Sequence, residues 1–130
     1  MSWNNHDFSD MKNVAENSDF VNIVGFHWRG RKDIQYAHQA VHDRLFKNTT
    51  LKKLSSQIRF LRNDVSIVHV GMRIDSVVAI LDGSTIGKDA VLATFILVKN
   101  NNAWMITAVE NVTVSEAAKP FNPINLRDKK

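Results

Sequence analysis

Three titratable side chains are the first candidates for chemistry in this sequence: His38, His69 and Glu110. An imidazole titrates near neutral pH, and an imidazole or carboxylate held in a pocket acts as a general acid or base. Proton-transfer chemistry requires two such groups within reach of one ligand position. The elements that carry the three residues must therefore bring them together.

His38 lies in the apolar stripe of the clearest helix pattern, which begins at Gly30. The other members of the stripe are Ile34, Ala37, Val41 and Leu45. Their 3.6-residue period places His38 against the sheet. A buried imidazole needs partners for its ring nitrogens. His38 is therefore an acid, base or ligand-binding group at a pocket floor, or a core histidine bonded to a neighbouring strand.

His69 and Glu110 lie on predicted strands. If the face of His69 is concave, the imidazole points into a pocket towards His38; if not, it lies in an interface or the core. Glu110 has the same parity as Trp104, Ile106 and Ala108. A carboxylate on an apolar face is costly to bury unless it is paired. Glu110 is thus a base, a partner that orients a histidine, or a residue where the strand emerges into water.

Aromatic side chains are candidates for ligand contact, although aromatic residues at such spacing are more often core. The candidates are Phe20, Trp28, Tyr36, Phe46 and Trp104. Trp28 is the strongest, because it ends a short strand beside the loop that enters the helix. His42 follows His38 by four residues, a spacing that can hold a metal, but no third ligand accompanies them and no metal site is predicted.

The hydrophobic pattern predicts helices early and strands late, which is typical of an α+β domain. The predicted helices are 7–15, capped by Asp7, and Gly30 to about 48–50. The predicted strands are 19–24, 26–29, 51–61, 65–81, 90–99 and 103–114, with turns at Gly25, 62–64 and 100–102, a bend or bulge at Gly71 and a loop at 82–84. Residues 1–117 form the predicted domain, and 118–130 a loose tail.

Composition excludes several classes of protein. The chain has 130 residues, no cysteine and a net charge of +4. Its basic residues are scattered, whereas a nucleic-acid surface clusters them. It lacks an apolar run of the roughly 18 residues that a membrane helix needs, and residues 1–18 are too polar for a signal peptide. We expect a cytoplasmic protein with no nucleic-acid or membrane partner, and no motif predicts a cofactor.

Two strands predict a partner. Residues 90–98 and 103–109 are apolar on both parities, whereas a sheet covered on one face alternates. The simplest cover for the second face is another copy of the chain. We therefore expect a homodimer through the sheet.

Four motifs in order resemble the SgcJ/EcaC-like branch of the SnoaL-like, nuclear transport factor 2-like superfamily. They cover about residues 7–114. They are Gly30-Arg31-x-x-Ile34-x-x-x-His38 after Trp28, Leu61-x-x-Asp64-Val65-x-Ile67-Val68-His69, Thr94-Phe95-x-Leu97-Val98, and Trp104-x-Ile106-x-Ala108.

The resemblance implies a cystatin-like α+β roll: a strongly curved, mostly antiparallel sheet that forms a cone around N-terminal helices. It also implies a pocket and a dimer. Relatives include proton-transfer enzymes, proteins that bind small molecules, and association domains. We expect a pocket for a small hydrophobic ligand; a proton-transfer enzyme and a non-catalytic association domain are the alternatives.

Two departures from the family bear on the pocket. Only about six residues precede Asp7, so the first helix is short and one wall of the cone can be open. The closing strand reads Glu110-Asn111-Val112 where relatives commonly have a His-Asn-Thr-like run. The resemblance makes Asn111 a further candidate for ligand contact, and it implies pocket chemistry different from that of relatives.

Overall fold

The structure of the chain, a computed structural model, describes residues 2–79 and 85–127. The elements are α1 (Ser2–Asn5), β1 (Val14–Val21), β2 (His27–Arg29), α2 (Arg31–Arg44), β3 (Leu51–Arg62), β4 (Val65–Ile74), β5 (Val78–Ala79), β6 (Thr85–Ile86), β7 (Val91–Asn100), β8 (Ala103–Thr113) and α3 (Pro123–Arg127), which a short 3₁₀ turn (Lys119–Phe121) precedes. The predicted α+β class is confirmed.

Six strands form one mixed sheet in the order β2-β1-β8-β7-β4-β3. Strands β3, β4, β7 and β8 form the predicted antiparallel meander. β1 joins the meander by pairing in parallel with β8, which the sequence did not predict. The short strands β5 and β6 pair separately and form an arm between β4 and β7.

The main helix, α2, begins where predicted but ends earlier. Asp33 lies in its first turn and Ile34 is buried beneath it. An acidic residue in that turn is favourable because the helix dipole is positive there. The helix ends at Arg44 and not at 48–50, because the backbone N–H and the hydroxyl of Thr49 both donate to the carbonyl of Phe46 and close a turn.

The predicted helix at 7–15 is wrong. The carboxylate of Asp7 accepts the N–H of Ser9, and that of Asp10 accepts the N–H of Lys12. These side chains satisfy the backbone within local turns, which compete with helix formation. The only helix before β1 in the described part of the chain is α1, and β1 starts at Val14, five residues earlier than predicted.

The long run predicted as a strand over 65–81 breaks after Ile74. There Asp75 accepts hydrogen bonds from the N–H and hydroxyl of Thr50, and the chain leaves the sheet to form the arm. The predicted bend at Gly71 is a bulge in the neighbouring strand, where Leu54 is the extra residue. The end of this predicted strand and the loop at 82–84 lie outside the described residues.

The core is small and lies between α2 and the sheet. Its apolar members include Ile34, Ala93 and Val109. β3 is exposed along almost its whole length, and the elements after β8 bury no side chain. No helix in the described ranges is long and apolar enough to span a membrane.

Alanine at Gly87 should destabilise the fold. Gly87 has φ +103, and a Cβ there would run into the carbonyl of Ser76 and approach Ile74 to 2.7 Å. We expect Gly87→Ala to lower the unfolding free energy by about 2–4 kcal/mol in urea denaturation. The matched control is Gly25→Ala, which shares the backbone strain (φ +85) but meets no atom within 4 Å, and should cost about 1 kcal/mol. Equal losses would contradict the packing around Gly87.

Candidate functional site

The register of the sheet defines which side chains lie beside α2. Trp28, Phe20 and Val109 pair in one row across β2, β1 and β8, and the row continues through Phe95. Phe20 and Trp28 both contact His38 of α2. This row therefore lies on the helix side of the sheet, and each neighbouring row lies on the outer side.

An aromatic cluster surrounds the imidazole of His38. The rings of Phe20 and Trp28 meet it edge-on, with centroids 4.5 and 5.1 Å away. Phe8 lies 5.2 Å away in a tilted contact. Phe20 and Trp28 stack on each other at 5.6 Å. The cluster is an apolar enclosure with one polar group in it.

The tautomer of His38 follows from its single hydrogen bond. Nδ1 lies 2.8 Å from the carbonyl oxygen of Ile34, which can only accept, so Nδ1 carries the proton. Burial lowers the pKa of His38, and the bond to Ile34 raises it by a lesser amount. The ring is therefore neutral at pH 7, and Nε2 is an acceptor without a partner among the described residues.

His69 and Glu110 lie on the opposite face from His38. His69 pairs with Thr94, which pairs with Glu110, and this row is next to the row of Phe20 and Val109. His69 is half-buried and Glu110 is exposed. The structure thus brings His69 and Glu110 onto one face but does not bring either to His38.

A bulge in β8 corrects the predicted face of Glu110. Leu97 pairs with Ile106 and Ile96 with Ala108, so Thr107 is an extra residue in the strand. An extra residue reverses the faces of all the residues beyond it. Trp104 therefore lies on the helix side, where its ring contacts Phe60 at 6.0 Å, and Glu110 lies on the outer side.

The other candidates divide between the cluster and its surroundings. Phe20 and Trp28 belong to the cluster. Asn111 lies on the helix side and donates to the carbonyl of Val21 at 3.4 Å. Tyr36 is 78% exposed and makes no ring contact within the described ranges. Trp104 makes none with the cluster.

Sequence reasoning missed a second cluster, centred on His42. His42 is only 1% exposed. It contacts the rings of Trp3 at 4.2 Å, Phe8 at 4.7 Å and Phe46 at 5.6 Å. Its Nδ1 lies 3.0 Å from Nδ1 of His6. No periodic pattern marks residues 3–8, and the alternation of aromatic and histidine residues there was the one available signal.

Burial, together with the charges of His6 and His38, lowers the pKa of His42 from 6.5 to about 4, and Asp43 opposes this shift. Nε2 of His42 and Nε1 of Trp3 are buried without a partner. Across residues 2–79 and 85–127, no three histidine, aspartate or glutamate side chains converge as a metal site would require.

Two open grooves lie beside α2. The larger, about 420 Å³, is lined by Phe8, Ser9, Lys32, Gln35, Tyr36 and Gln39. The smaller, about 290 Å³, lies next to Met11, Lys12 and Arg31. Neither groove reaches His38. Phe8 both lines the larger groove and contacts His38, so its ring is the wall between the groove and the cluster.

Solved structures with the same architecture identify the fold. An uncharacterised protein from Caulobacter vibrioides superposes with a TM-score of 0.89 at 23% identity, over 95% of this chain and 87% of that chain, and it has a cystatin-like fold. This chain has the cystatin-like fold. No family model matches the sequence, and no curated protein matches it.

The cystatin-like fold of this chain also occurs in proteins with different assignments. A provisionally assigned dehydratase of the nuclear transport factor 2-like family from Streptomyces avermitilis has a TM-score of 0.68 and 13% identity, over 88% of this chain and 86% of that chain. A provisionally assigned calcium/calmodulin-dependent protein kinase II association domain from Xanthomonas campestris has a TM-score of 0.67 and 12% identity, over 88% and 79%. The predicted fold agrees with these neighbours; the nuclear transport factor 2-like superfamily and its SgcJ/EcaC-like branch stay predictions.

Proposed function

We propose that this protein binds a small, largely apolar ligand that carries a hydroxyl or N–H donor. The observation that carries the proposal is the acceptor Nε2 of His38 within an aromatic enclosure. The bond to Ile34 fixes the proton on Nδ1, and burial keeps the ring neutral. Pockets for small molecules combine such apolar walls with a few polar groups that orient the ligand.

The larger groove supports the proposal because of its position. It is an open groove of about 420 Å³, and the rings of Phe8 and Tyr36 form the apolar part of its lining. Phe8 lines the groove and also contacts the ring of His38. A ligand that displaces the Phe8 ring would occupy the groove and place its donor at Nε2.

A matched pair of probes tests the acceptor. 2-Naphthol and naphthalene differ by one hydroxyl. One hydrogen bond to Nε2 should make 2-naphthol bind about tenfold more tightly than naphthalene, as measured by quenching of tryptophan fluorescence. In His38→Phe, which keeps a ring but loses the acceptor, the two affinities should become equal.

His69→Phe is the control, because His69 lies on the outer face, and it should keep the tenfold preference. The ligand proposal fails if neither probe binds, or if His38→Phe still prefers 2-naphthol. It also fails if His69→Phe loses the preference.

The proton-transfer alternative lacks its second group. His69 and Glu110 lie across the sheet from His38. Within the described residues, the one imidazole next to His38 along α2 is His42, which faces Trp3 and His6. Among the described residues, no second titratable side chain contacts His38 within its aromatic enclosure.

An association domain is the second candidate function. Phe8 fills the space beside His38 in this structure, as expected of a domain that has no ligand. The central rows on the outer face of the sheet are apolar and half-buried. Failure of both probes to bind would leave association as the remaining role.

The dimer is proposed on the outer face of the sheet. Two rows cross its three central strands: Val65, Val98 and Met105, and Ile67, Ile96 and Ala108. The two rows end on β3 at Arg62 and Arg59, and the second row ends on β1 at Asp19. A two-fold axis parallel to the strands would place the basic end of each copy over the acidic end of the other.

The exposed area of the chain supports this proposal. The chain exposes 9157 Å², whereas a folded monomer of 14.8 kDa exposes about 7,000 Å². The exposed elements after β8 contribute part of the excess. The excess of roughly 2,000 Å² per chain is larger than the roughly 800 Å² that each partner buries in a standard interface.

A further inference from the structure

We propose that residues 2–8 form a lid over the His38 cluster, and that the pairing of His6 with His42 latches this lid and releases it in acid. The lid closes the ligand site of the proposed function, and its closure can be measured without any ligand. The observations that support it are the contacts of the segment, the chemistry of the histidine pair and the position of Phe8.

Side chains hold the segment in place at three points. Trp3 contacts His42 and Phe46, with ring centroids 4.2 and 5.0 Å away. The side chain of Gln39 accepts the N–H of Phe8 at 2.9 Å and donates to the carbonyl of His6 at 3.0 Å. These contacts all reach α2 or the residues just after it, so the segment packs along this helix.

The third point joins the segment to the start of β3. The side chain of Asn4 accepts the N–H of Leu51 at 2.6 Å and donates to its carbonyl at 3.3 Å. The chain then turns at His6, whose φ of 53° is left-handed, a conformation that histidine adopts more readily than most residues. This turn directs the imidazole of His6 at α2.

The pair of imidazoles can share only one proton at its centre. The two Nδ1 atoms lie 3.0 Å apart, so one must donate and the other must accept. One proton added to His6 keeps this bond, because the imidazolium donates to His42. A second proton, on His42, sets two N–H groups and two positive charges against each other and breaks the pair.

The surroundings of His42 do not compensate a charge on it. Trp3, Phe8 and Phe46 enclose the ring, and its Nε2 is buried without a partner. The titratable groups that face it are His6 from the segment, and His38 and Asp43 from α2; only Asp43 favours the charge. Release of the segment exposes His42 to water, where its imidazole takes up the proton freely.

Opening of the lid would expose the ligand site. Phe8 ends the segment and contacts both His42, at 4.7 Å, and His38, at 5.2 Å. It is also the wall of the larger groove. When the segment leaves α2, Phe8 leaves with it, and the groove becomes continuous with the His38 cluster.

The experiment follows Trp3 by fluorine NMR of the full chain labelled with 5-fluorotryptophan. The chain has three tryptophans, and Trp→Phe variants assign their signals. The solvent isotope shift of the Trp3 signal reports its contact with water. Between about pH 7.5 and pH 4, we expect this signal to change from a buried to an exposed value while the Trp104 signal stays constant.

Two variants test the latch itself. In His42→Gln the side chain cannot be protonated, so Trp3 should stay buried over the whole pH range. In His6→Gln the amide both donates and accepts, so it does not repel a protonated His42; burial of the charge still opposes closure, and the exposure of Trp3 should move to lower pH. His27→Gln, which alters the exposed pair with Asp19, is the control and should behave like the unaltered chain.

Three results would contradict the proposed lid. Trp3 exposed at neutral pH would show that the segment is not closed. Trp3 buried at pH 4 in the unaltered chain would show that the pair does not release it. A Trp104 signal that moves together with Trp3 would show that acid unfolds the whole domain. None of these readings depends on 2-naphthol, so failure of the ligand proposal is recognised separately.

Discussion

We expect an Ile96→Arg variant to be monomeric at concentrations where the unaltered chain is a dimer. Ile96 lies at the centre of the outer face, between Ile67 and Ala108. In the proposed dimer its side chain is covered by the second copy. An arginine there would leave a guanidinium buried without a partner, which costs several kcal/mol. The dissociation constant should therefore rise by more than about a hundredfold.

Sedimentation velocity at about 1–100 μM measures this change. The matched control is Ile58→Arg, because Ile58 lies on the helix side of the same sheet and is 63% exposed. The control should remain dimeric. A monomeric unaltered chain, or a dimeric Ile96→Arg variant, would exclude the outer face as the interface.

The second large effect is the loss of stability in acid. The pKa of His42 is lowered from 6.5 to about 4 in the folded protein, so the unfolded chain takes up the proton first. The stabilisation by neutral His42 is complete above pH 6.5 and is lost as the pH falls towards 4. The largest possible loss is about 3 kcal/mol.

The size of this loss of stability also measures the free energy that keeps the lid closed. If the lid opens before the domain unfolds, His42 is protonated in the open folded state. The unfolding free energy then stops falling once the lid is open. The decline then equals the free energy that closes the segment, which we expect to be about 1–3 kcal/mol. Urea denaturation at a series of pH values gives this quantity directly.

His42→Gln should remove most of this decline. His38, whose pKa burial also lowers, leaves a smaller slope of the same sign. Below pH 4 both proteins should lose stability together, because hydrogen bonds to Ser9 and Thr50 lower the pKa values of Asp7 and Asp75. Parallel profiles of the two proteins above pH 4 would contradict the role of His42.

Local chemistry made α2 and the meander predictable. The apolar stripe of α2 has one period over three turns, and its first member, Ile34, is buried. The hairpin between β7 and β8 was predicted from its asparagines; Asn101 and Asn102 have φ of 50° and 64°, as a type I′ turn requires. These signals depend on neighbours in the sequence, so they are visible without the fold.

The faces of the strands were not predictable in the same way. A period of two assigns alternate residues to two faces but does not say which face meets the helix. β4 is apolar on both faces, with Ile67 on one and Val68 on the other, so composition could not decide which face His69 would occupy. The bulge at Thr107 then reversed the parity of Glu110 relative to Trp104, and no residue type in that segment predicts a bulge.

The cluster around His42 depends on contacts between distant residues. Trp3 and His6 precede His42 by more than 35 positions, and neither belongs to a periodic pattern. The predicted helix at 7–15 also placed Phe8 incorrectly, although its ring joins the His38 and His42 clusters. Such contacts follow from the packing of α1 and its loop on α2, which the sequence alone does not specify.

The tautomer of His38 is the most direct test of the proposed site. A long-range ¹H–¹⁵N correlation spectrum of the histidine rings distinguishes Nδ1–H, Nε2–H and the imidazolium, and a His38→Phe variant assigns the signal. At about pH 7, we predict a neutral His38 with the proton on Nδ1 and a free acceptor at Nε2. A His38 that is protonated, or that carries its proton on Nε2, would contradict the account, because the enclosure would then present a donor to the ligand.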